Sequence, residues 1–221
     1  MNGNWTLGLD IGLVVDHSAL ALVEWRDEAI PWPREDEEPP IKHLLVNNLK
    51  RWPLPCDYPQ IRDDISRLVR QAGLARTNEQ DGVPLLLDAS GSGGERIVRF
   101  FDDAWARDLM GTRRPWPVWI TGGQVPTRGR HVSRANLLMD LKILAQQHRL
   151  HIAPGLGLGE VFLDELRHLK LKQSKTGEDI YESVGKHDDV ALAVALAAYG
   201  SRWHSGDEPL PYVAPQAAPT G

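Results

Sequence analysis

The run KHDDVALAVALAAY at residues 186–199 contains two adjacent carboxylates, Asp188 and Asp189, directly before an apolar stretch. The residues that follow them, up to Tyr199, are apolar and rich in Ala, a composition that favours a helix. An Asp in the first turn of a helix can cap free N–H groups and is stabilised by the helix dipole. Asp188 and Asp189 are therefore either a helix cap or part of a functional site, and this run alone leaves both interpretations open.

Two further Asp residues, far upstream, each follow a predicted strand. Asp10 ends an apolar run that begins at Trp5, and Asp88 ends the run PLLL at residues 84–87. In open α/β sheets, binding sites form beyond the carboxyl ends of the strands. If the two strands are neighbours, Asp10 and Asp88 face each other across a crevice that Asp188 and Asp189 can join. Each Asp alone is also explained as a turn residue, so the conjunction carries the hypothesis.

Such a group of carboxylates indicates a metal site. Three or four carboxylates in one place cannot all stay ionised without cations. Ligands that are all oxygen suit hard divalent ions such as Mg²⁺ or Mn²⁺. Two such ions roughly 4 Å apart would activate a water and stabilise the leaving oxygen of a phosphodiester. The pattern therefore predicts two Mg²⁺ or Mn²⁺ ions as cofactors.

Other polar residues carry weaker signals. Asp16, which is followed by Ser18, is typical of a turn, and a lone His at a helix start such as His187 is more often structural. Both are candidate accessory residues only. No G-x-x-x-x-G-K-[ST] motif occurs in the chain, so it contains no recognisable phosphate loop of an ATPase.

Basic residues gather in two places: around the end of a predicted loop and the start of the helix after it, and along a predicted hairpin. Such groups usually form solvated surface. Beside an acidic metal site they become candidate phosphate contacts, which position a duplex without reading its sequence. These candidates are Arg128, Arg130, Arg134, Lys170, Lys172 and Lys175.

The wider pattern predicts an α/β fold in one domain over residues 1–203. An antiparallel meander is predicted from strands at residues 5–11, 18–25 and 41–49. Strands at 84–88, 117–121 and 150–152 then alternate with helices at 59–72, 95–109, 133–147 and 160–169. A β-hairpin at 170–181 precedes the last helix, at 188–199. Residues 122–131 are predicted to be a loop, and the Pro- and Ala-rich residues 204–221 a flexible tail.

Composition excludes several classes of protein. The chain has 221 residues, of which 42% are hydrophobic and 25% charged, as is ordinary for a soluble globular protein. It has no apolar run of the ~18 residues that a membrane span requires and no signal peptide at its start. The single cysteine, Cys56, suits an intracellular setting. A net charge of −5 argues against a protein that coats DNA, but not against an enzyme with a carboxylate cluster.

Four short motifs occur in the order seen in the nuclease domain of large terminase subunits, the DNA-packaging motor proteins of tailed phages. They are LGLD at residues 7–10, DHSAL at 16–20, LLLDASG at 85–91 and HDDVALA at 187–193. WITGG at 119–123 and KTG at 175–177, with Tyr181 following, are also similar to that family's pattern. The chain resembles the family over about residues 5–199.

The resemblance implies an RNase H-like fold and cleavage of double-stranded DNA with divalent metal ions. It implies Asp10, Asp88 and Asp189 as catalytic metal ligands, with Asp188 as an accessory ligand. Terminases normally carry an N-terminal ATPase domain, and this chain has none, so it resembles an excised domain, a split-gene product or a stand-alone relative. The expected partners are double-stranded DNA, a separate packaging ATPase, a small terminase and a portal, in the cytoplasm of a bacterium or a phage-infected host cell, with no membrane involved.

Three other functions compete with this one. Within the RNase H superfamily, a junction-resolving or RNA-strand nuclease would use similar carboxylates. The run LDIG at residues 9–12 also resembles the first phosphate loop of actin-like kinases, but that fold repeats its core twice and 221 residues are too few. A DNA-binding or assembly module of a packaging motor that has lost turnover is the non-enzymatic alternative.

Overall fold

Three successive strands form an antiparallel meander in the computed structural model, which describes residues 4–12, 16–27, 42–74, 82–91, 93–107, 111–122, 130–173, 179–183 and 187–200. The strands are β1 (Asn4–Asp10), β2 (Ala19–Asp27) and β3 (Lys42–Arg51). β1 pairs with β2, and β2 with β3, both in antiparallel register. Between the end of β1 and the start of β2, the Ser18 hydroxyl accepts a hydrogen bond from the Gly12 N–H at 3.1 Å.

Four parallel strands extend this meander on both sides. They are β4 (Leu85–Asp88), β5 (Trp116–Thr121), β6 (His131–Ser133) and β7 (Leu150–Ile152). β4 pairs with β1, β5 with β4 and β6 with β5, while β7 pairs with β3 at the other edge. The result is a seven-stranded mixed sheet in the order β6-β5-β4-β1-β2-β3-β7. A separate antiparallel hairpin consists of β8 (Leu169–Gln173) and β9 (Asp179–Ser183).

Helices cover both faces of the sheet. On one face lie α1 (Tyr58–Gln71) and α2 (Gly94–Trp105), whose apolar side chains pack with the first of two cores. On the other face lie α3 (Arg134–Gln146), α4 (Gly159–His168) and α5 (Asp189–Gly200), which pack with the second core. β4 supplies Leu85 and Leu87 to the first core and Leu86 to the second, as expected of a strand covered on both sides.

The last helix lies directly on β1. Every residue of α5 is buried, as a helix that is apolar all round must be. Its approach depends on Gly8 of β1, where an added Cβ would lie 2.1 Å from the backbone oxygen of Ala193. Only a residue without a side chain permits two backbones to come this close. The contact fixes the position of the start of α5 relative to the end of β1.

The predicted α/β fold is confirmed, including the antiparallel trio, the parallel strands that follow and the hairpin before the last helix. The prediction of a loop through residues 122–131 is wrong at its end, because His131 begins the short edge strand β6. The hairpin turn at residues 174–178 and the tail at 204–221 lie outside the described residues, and the single domain over 1–203 stays a prediction. Among the described helices, none is both long and apolar enough to cross a membrane.

Candidate active site

The carboxyl ends of β1 and β4 lie side by side, and each carries an aspartate. Leu9 pairs with Leu87 in parallel register, so Asp10 and Asp88 are neighbours across the two strands. Strand alternation sends Leu9 and Leu87 into the core beneath α1 and α2, and therefore turns both aspartates to the face that α5 covers.

The start of α5 completes the group. Asp189, the first residue of the helix, and Asp188 before it line the same cleft as Asp10 and Asp88, which has a volume of about 430 Å³. The cleft is also lined by Ile11, Gly12, Asp16, His17, Ser90, Gly91, Arg134, His187 and Leu192. The structure thus brings together the four aspartates that the sequence singled out.

Burial raises the pKa of two of these acids. Burial raises the pKa of Asp10 well above its ordinary value, and the neighbouring charges of Asp88 and Asp189 add to this effect. Burial also raises the pKa of Asp88, although hydrogen bonds from Ser90 act in the opposite direction. Burial in a poorly solvated place disfavours the ionised form of both acids, and at Asp10 the nearby like charges add to this effect. The cleft carries more negative charge than its surroundings neutralise.

Two arginines pair with the two aspartates at the start of α5. Arg134, the first residue of α3, donates from Nη2 to Oδ1 of Asp188 at 2.6 Å. Arg51, the last residue of β3, donates from Nη2 to Oδ1 of Asp189 at 3.0 Å. The Nε of Arg51 also lies 2.7 Å from Oδ2 of Asp189, as an ion pair that lacks hydrogen-bond geometry. The basic Arg134, predicted as a DNA contact, thus lies within the acidic cleft itself.

A β-bulge turns Arg51 toward the cleft. The pairing of β2 with β3 shifts near the middle of the two strands. Leu44 and Val46 before the shift and Leu49 after it all belong to the core beneath α5. Arg51, two residues beyond Leu49, therefore points to the same face, whereas strict alternation from Val46 would have turned it away.

Glu165 is a part of this region that sequence reasoning missed. It lies on α4, is only 5% exposed, and accepts a hydrogen bond at Oε2 from the Ala191 N–H at 2.8 Å. It therefore caps the first turn of α5, a role that the sequence had suggested for Asp188. Burial raises the pKa of Glu165 to about 7, and the nearby charge of Asp189 contributes to the rise. The available signal was an acid on the apolar face of a helix, between Phe162 and Leu166.

Asp88 is held by the turn that follows β4. The Ser90 N–H donates to Oδ1 of Asp88 at 2.8 Å, which is the side-chain-to-backbone bond of an Asx turn. The Ser90 hydroxyl in turn accepts from the N–H of Ile120 on β5 at 2.6 Å. Asp88 is thus both a turn residue and part of the cleft. Its Oδ1 accepts the hydrogen bond of the turn, which fixes the side-chain rotamer, and the carboxyl group still lines the cleft.

The two candidate accessory residues lie together at the rim of the cleft. Nδ1 of His187 is 4.0 Å from Oδ1 of Asp16, and both side chains are exposed. The His187 ring also meets the His17 ring edge-on, with 5.5 Å between centroids. Their accessory role stays a prediction.

The remaining basic candidates are only partly described. Arg130 is exposed and lies over the Trp116 ring, with Cζ 4.4 Å from the ring centroid. Lys170 and Lys172 fall on β8, whose side chains from residue 170 onward lie outside the described part, as do Arg128 and Lys175 altogether. Contact of these residues with DNA stays a prediction.

The donor set fits a divalent cation, although it is not arranged around one. Within the described residues, no three acidic, histidine or cysteine side chains already form a ligand group. The carboxylates of Asp188 and Asp189 face guanidinium groups instead. Yet Oδ2 of Asp189 is buried and has no hydrogen-bond partner among the described residues, and the surrounding donors are carboxylate oxygens. Oxygen ligands with excess negative charge are what hard cations prefer.

No protein-family model and no curated protein matches the chain. Similar solved structures include the large terminase nuclease from thermophilic phage G20c with bound magnesium, at 17% identity over 89% of this chain and 81% of that chain, with a TM-score of 0.57. The same nuclease with bound cobalt gives 17%, the same coverage and 0.56. The P22 large terminase nuclease domain gives 14% identity, coverage of 91% and 82%, and 0.51. The chain therefore has the RNase H-like fold of these nuclease domains.

Proposed function

We propose that the protein is a divalent-metal-dependent endonuclease that cleaves double-stranded DNA. The single observation that carries this proposal is the meeting of Asp10, Asp88, Asp188 and Asp189 in one cleft, at the strand ends of a fold shared with large terminase nuclease domains. The magnesium and cobalt in two of the similar structures support divalent metal use here.

Each aspartate has its own part in this proposal. Asp10, Asp88 and Asp189 hold the cations, and Asp188, paired with Arg134, is the accessory ligand. The number of carboxylates suits two Mg²⁺ or Mn²⁺ ions, which when bound would activate a water and stabilise the leaving 3′ oxygen. The turn at Ser90 orients the Asp88 carboxyl, because the Ser90 N–H occupies Oδ1 and leaves the rest of the group free to face the cleft.

Basic side chains around the carboxylates would contact the phosphates of the DNA backbone. Arg130 is exposed, and Lys170, Lys172, Lys175 and Arg128 are the other candidate phosphate contacts, together with Arg134 in the cleft. His187 and Asp16 lie at the rim, where they could assist proton transfer. Contacts to phosphate give binding that weakens with salt. The biological role proposed with this activity is cutting of concatemeric viral DNA during genome packaging, in the cytoplasm and beside a packaging ATPase, a small terminase and a portal.

One observation favours a second function. Two of the four aspartates are neutralised by Arg51 and Arg134, and no ligand group is preformed among the described residues. A DNA-binding or assembly module without turnover would not need these aspartates to bind metal, so they could stay paired with the arginines. The two functions differ in what metal does, because only the nuclease needs it for cleavage.

The test is plasmid cleavage in Mn²⁺, with and without EDTA, by the wild type and by Asp88→Asn and Asp189→Asn. We expect each substitution to lower the rate by at least about 10²-fold while the protein stays folded, because a charged ligand is lost. Asp102→Asn is the matched control, since Asp102 also pairs with an arginine, Arg114, but outside the cleft. A four-way junction and an RNA–DNA hybrid as substrates would separate the related nucleases.

Full activity in Asp88→Asn or Asp189→Asn would refute the assignment of the site. Metal-independent DNA binding without cleavage by the wild type would favour the assembly module. If the enzyme cleaves the four-way junction or the RNA–DNA hybrid faster than plain duplex DNA, that nucleic acid is the substrate instead of double-stranded DNA.

A further inference from the structure

Arg51 lies between two buried carboxylates. It contacts Asp189 through Nη2 at 3.0 Å and Nε at 2.7 Å, while its Nη1 lies 3.9 Å from Oε1 of Glu165. The side chains of Asp189 and Glu165 are 6% and 4% exposed, and that of Arg51 is 22% exposed. One guanidinium thus serves two acids, and it is closer to Asp189.

One carboxylate oxygen of Glu165 is available to accept a hydrogen bond. Its Oε2 is engaged by the Ala191 N–H, but its buried Oε1 has no hydrogen-bond partner among the described residues. An unpaired buried oxygen costs free energy and is satisfied by any donor that comes within reach. The Nη1 of Arg51 is such a donor at 3.9 Å, and it needs to move by about 1 Å to form a hydrogen bond.

A divalent cation on Asp189 would change the preference of Arg51. The cation and the guanidinium would then compete for the same carboxylate, and like charges a few ångströms apart repel strongly where solvent is scarce. A guanidinium cannot lose its proton to relieve the repulsion. The guanidinium of Arg51 can relieve the repulsion by moving toward Glu165, which it already faces.

We propose that Arg51 and Glu165 are positioning residues that control cation access to Asp189, a proposal that rests on the nuclease function above. Arg51 neutralises Asp189 before metal binds and transfers to Glu165 when a cation takes its place. Glu165 holds the displaced guanidinium and, through its bond to Ala191, keeps the start of α5 in position throughout.

A fixed clamp would behave in the opposite way. If Arg51 only orients Asp189, its removal disorders a ligand and weakens metal binding. If it is a displaceable counter-ion, its removal abolishes competition and strengthens metal binding. The two roles therefore differ in the sign of one measured quantity, the affinity for metal alone.

The experiment is calorimetric titration of the full chain with Mn²⁺, without DNA. We expect Arg51→Met to bind Mn²⁺ about five- to tenfold more tightly and Glu165→Gln about five- to tenfold more weakly, a typical size of coupling between sites. Gln at 165 can still accept from the Ala191 N–H, so the helix cap is kept while the charge is removed. Arg114→Met, which removes an arginine paired with an aspartate outside the cleft, should leave the affinity unchanged.

The double variant Arg51→Met/Glu165→Gln makes the test independent of simple damage to the fold. Without the guanidinium, the charge of Glu165 has nothing to hold, so Glu165→Gln should change the affinity far less than in the wild-type background. A second measurement, by NMR, uses the wild-type protein, and a variant is needed only to assign the Arg51 signal. In ¹⁵N-labelled wild type, the Nε–Hε signal of Arg51 should shift as Mg²⁺ is added.

The outcomes separate this proposal from the one on which it rests. Weaker Mn²⁺ binding by Arg51→Met, equal effects of Glu165→Gln in both backgrounds, or an unmoved Arg51 signal at saturating Mg²⁺ would each overturn the counter-ion role while leaving the nuclease intact. Failure of the wild type to bind Mn²⁺, or binding that Asp189→Asn leaves unchanged, would overturn the metal site and this proposal together.

Discussion

Two groups of buried acid lie on opposite sides of the sheet and have opposite electrostatics. Asp64 of α1 is 7% exposed and receives Trp52 Nε1 at 2.8 Å, Lys50 Nζ at 2.6 Å and Arg67 Nη1 at 2.7 Å. Burial acts to raise its pKa, but the hydrogen bonds from Lys50 and Trp52 outweigh burial and lower it. In the cleft, by contrast, burial raises the pKa of both Asp10 and Asp88, and nearby like charges add to the rise at Asp10.

The difference lies in the ratio of donors to acids. Asp64 has three donors for one carboxylate, whereas in the cleft four aspartates share Arg51 and Arg134. A buried acid with a full set of donors stabilises the fold, and this stabilisation is enough to explain its presence. Acids with too few donors cost stability, and such a cost is typical of functional sites. Under the proposed function, the contrast separates the aspartates that would bind metal from the aspartate that stabilises the fold.

The largest effect should come from removing one charge in each group and measuring stability in EDTA. Asp64→Asn should lower the free energy of unfolding by about 1–3 kcal/mol, because three donors lose a charged acceptor. Asp88→Asn should cost less than about 0.5 kcal/mol or stabilise the protein, since it relieves repulsion and Asn can still accept from the Ser90 N–H. Urea denaturation followed by fluorescence measures both.

The comparison would fail if Asp88→Asn proved as destabilising as Asp64→Asn. Asp102→Asn, which breaks an exposed pair with Arg114, serves as the reference for a surface aspartate and should cost less than about 1 kcal/mol.

A smaller effect should appear when metal is added. At a Mn²⁺ concentration of about ten times Kd, binding to the native state adds about 1.4 kcal/mol, which raises Tm by a few degrees in a protein of this size. We expect this shift in the wild type and in Asp64→Asn, and not in Asp88→Asn. Scanning calorimetry with and without EDTA measures it, and an equal shift in all three proteins would show that the cation binds elsewhere.

The smallest effect is a pH dependence that belongs to Asp64. Its folded-state pKa is lowered below the ordinary 3.8, so its contribution is present above that value and is lost as the pH falls through the folded-state pKa. Between about pH 5 and pH 3, the wild type should lose up to about 1 kcal/mol more stability than Asp64→Asn does. Urea midpoints across this range measure the difference, and parallel curves would contradict the prediction.

Much of the fold was predictable because its signals are local. The apolar run of β4, the amphipathic faces of α1 and α3 and the Ala-rich run of α5 each specify their element without knowledge of the rest. The convergence of Asp10 and Asp88 followed from one rule about strand ends. By contrast, β6 has three residues and little hydrophobic pattern, so only its pairing with β5 makes it a strand.

The residues around the aspartates were less predictable because their positions depend on register and packing. Arg51 faces the cleft only through the bulge in β3, and a bulge cannot be located by counting alternate residues. Glu165 gave a weak signal, an acid on an apolar helix face, but its partner Ala191 is 26 residues away and is found only once α4 and α5 pack together. Local rules suggested Asp188 as a cap, but they could not show that the Ala191 N–H in the first turn donates to Glu165 on another helix.

The close contact of α5 with β1 at Gly8 also sets an order of events during synthesis. A chain leaves the ribosome from its N-terminus, so β1 and β4, with Asp10 and Asp88, exist before residues 187–200 have been made. The contacts that join them span most of the chain, and such long-range contacts cost more loop-closure entropy than local ones do. Until α5 docks, the two strand ends lack Asp188 and Asp189. The four acids therefore come together only after residues 187–200 have been made and α5 has docked on β1.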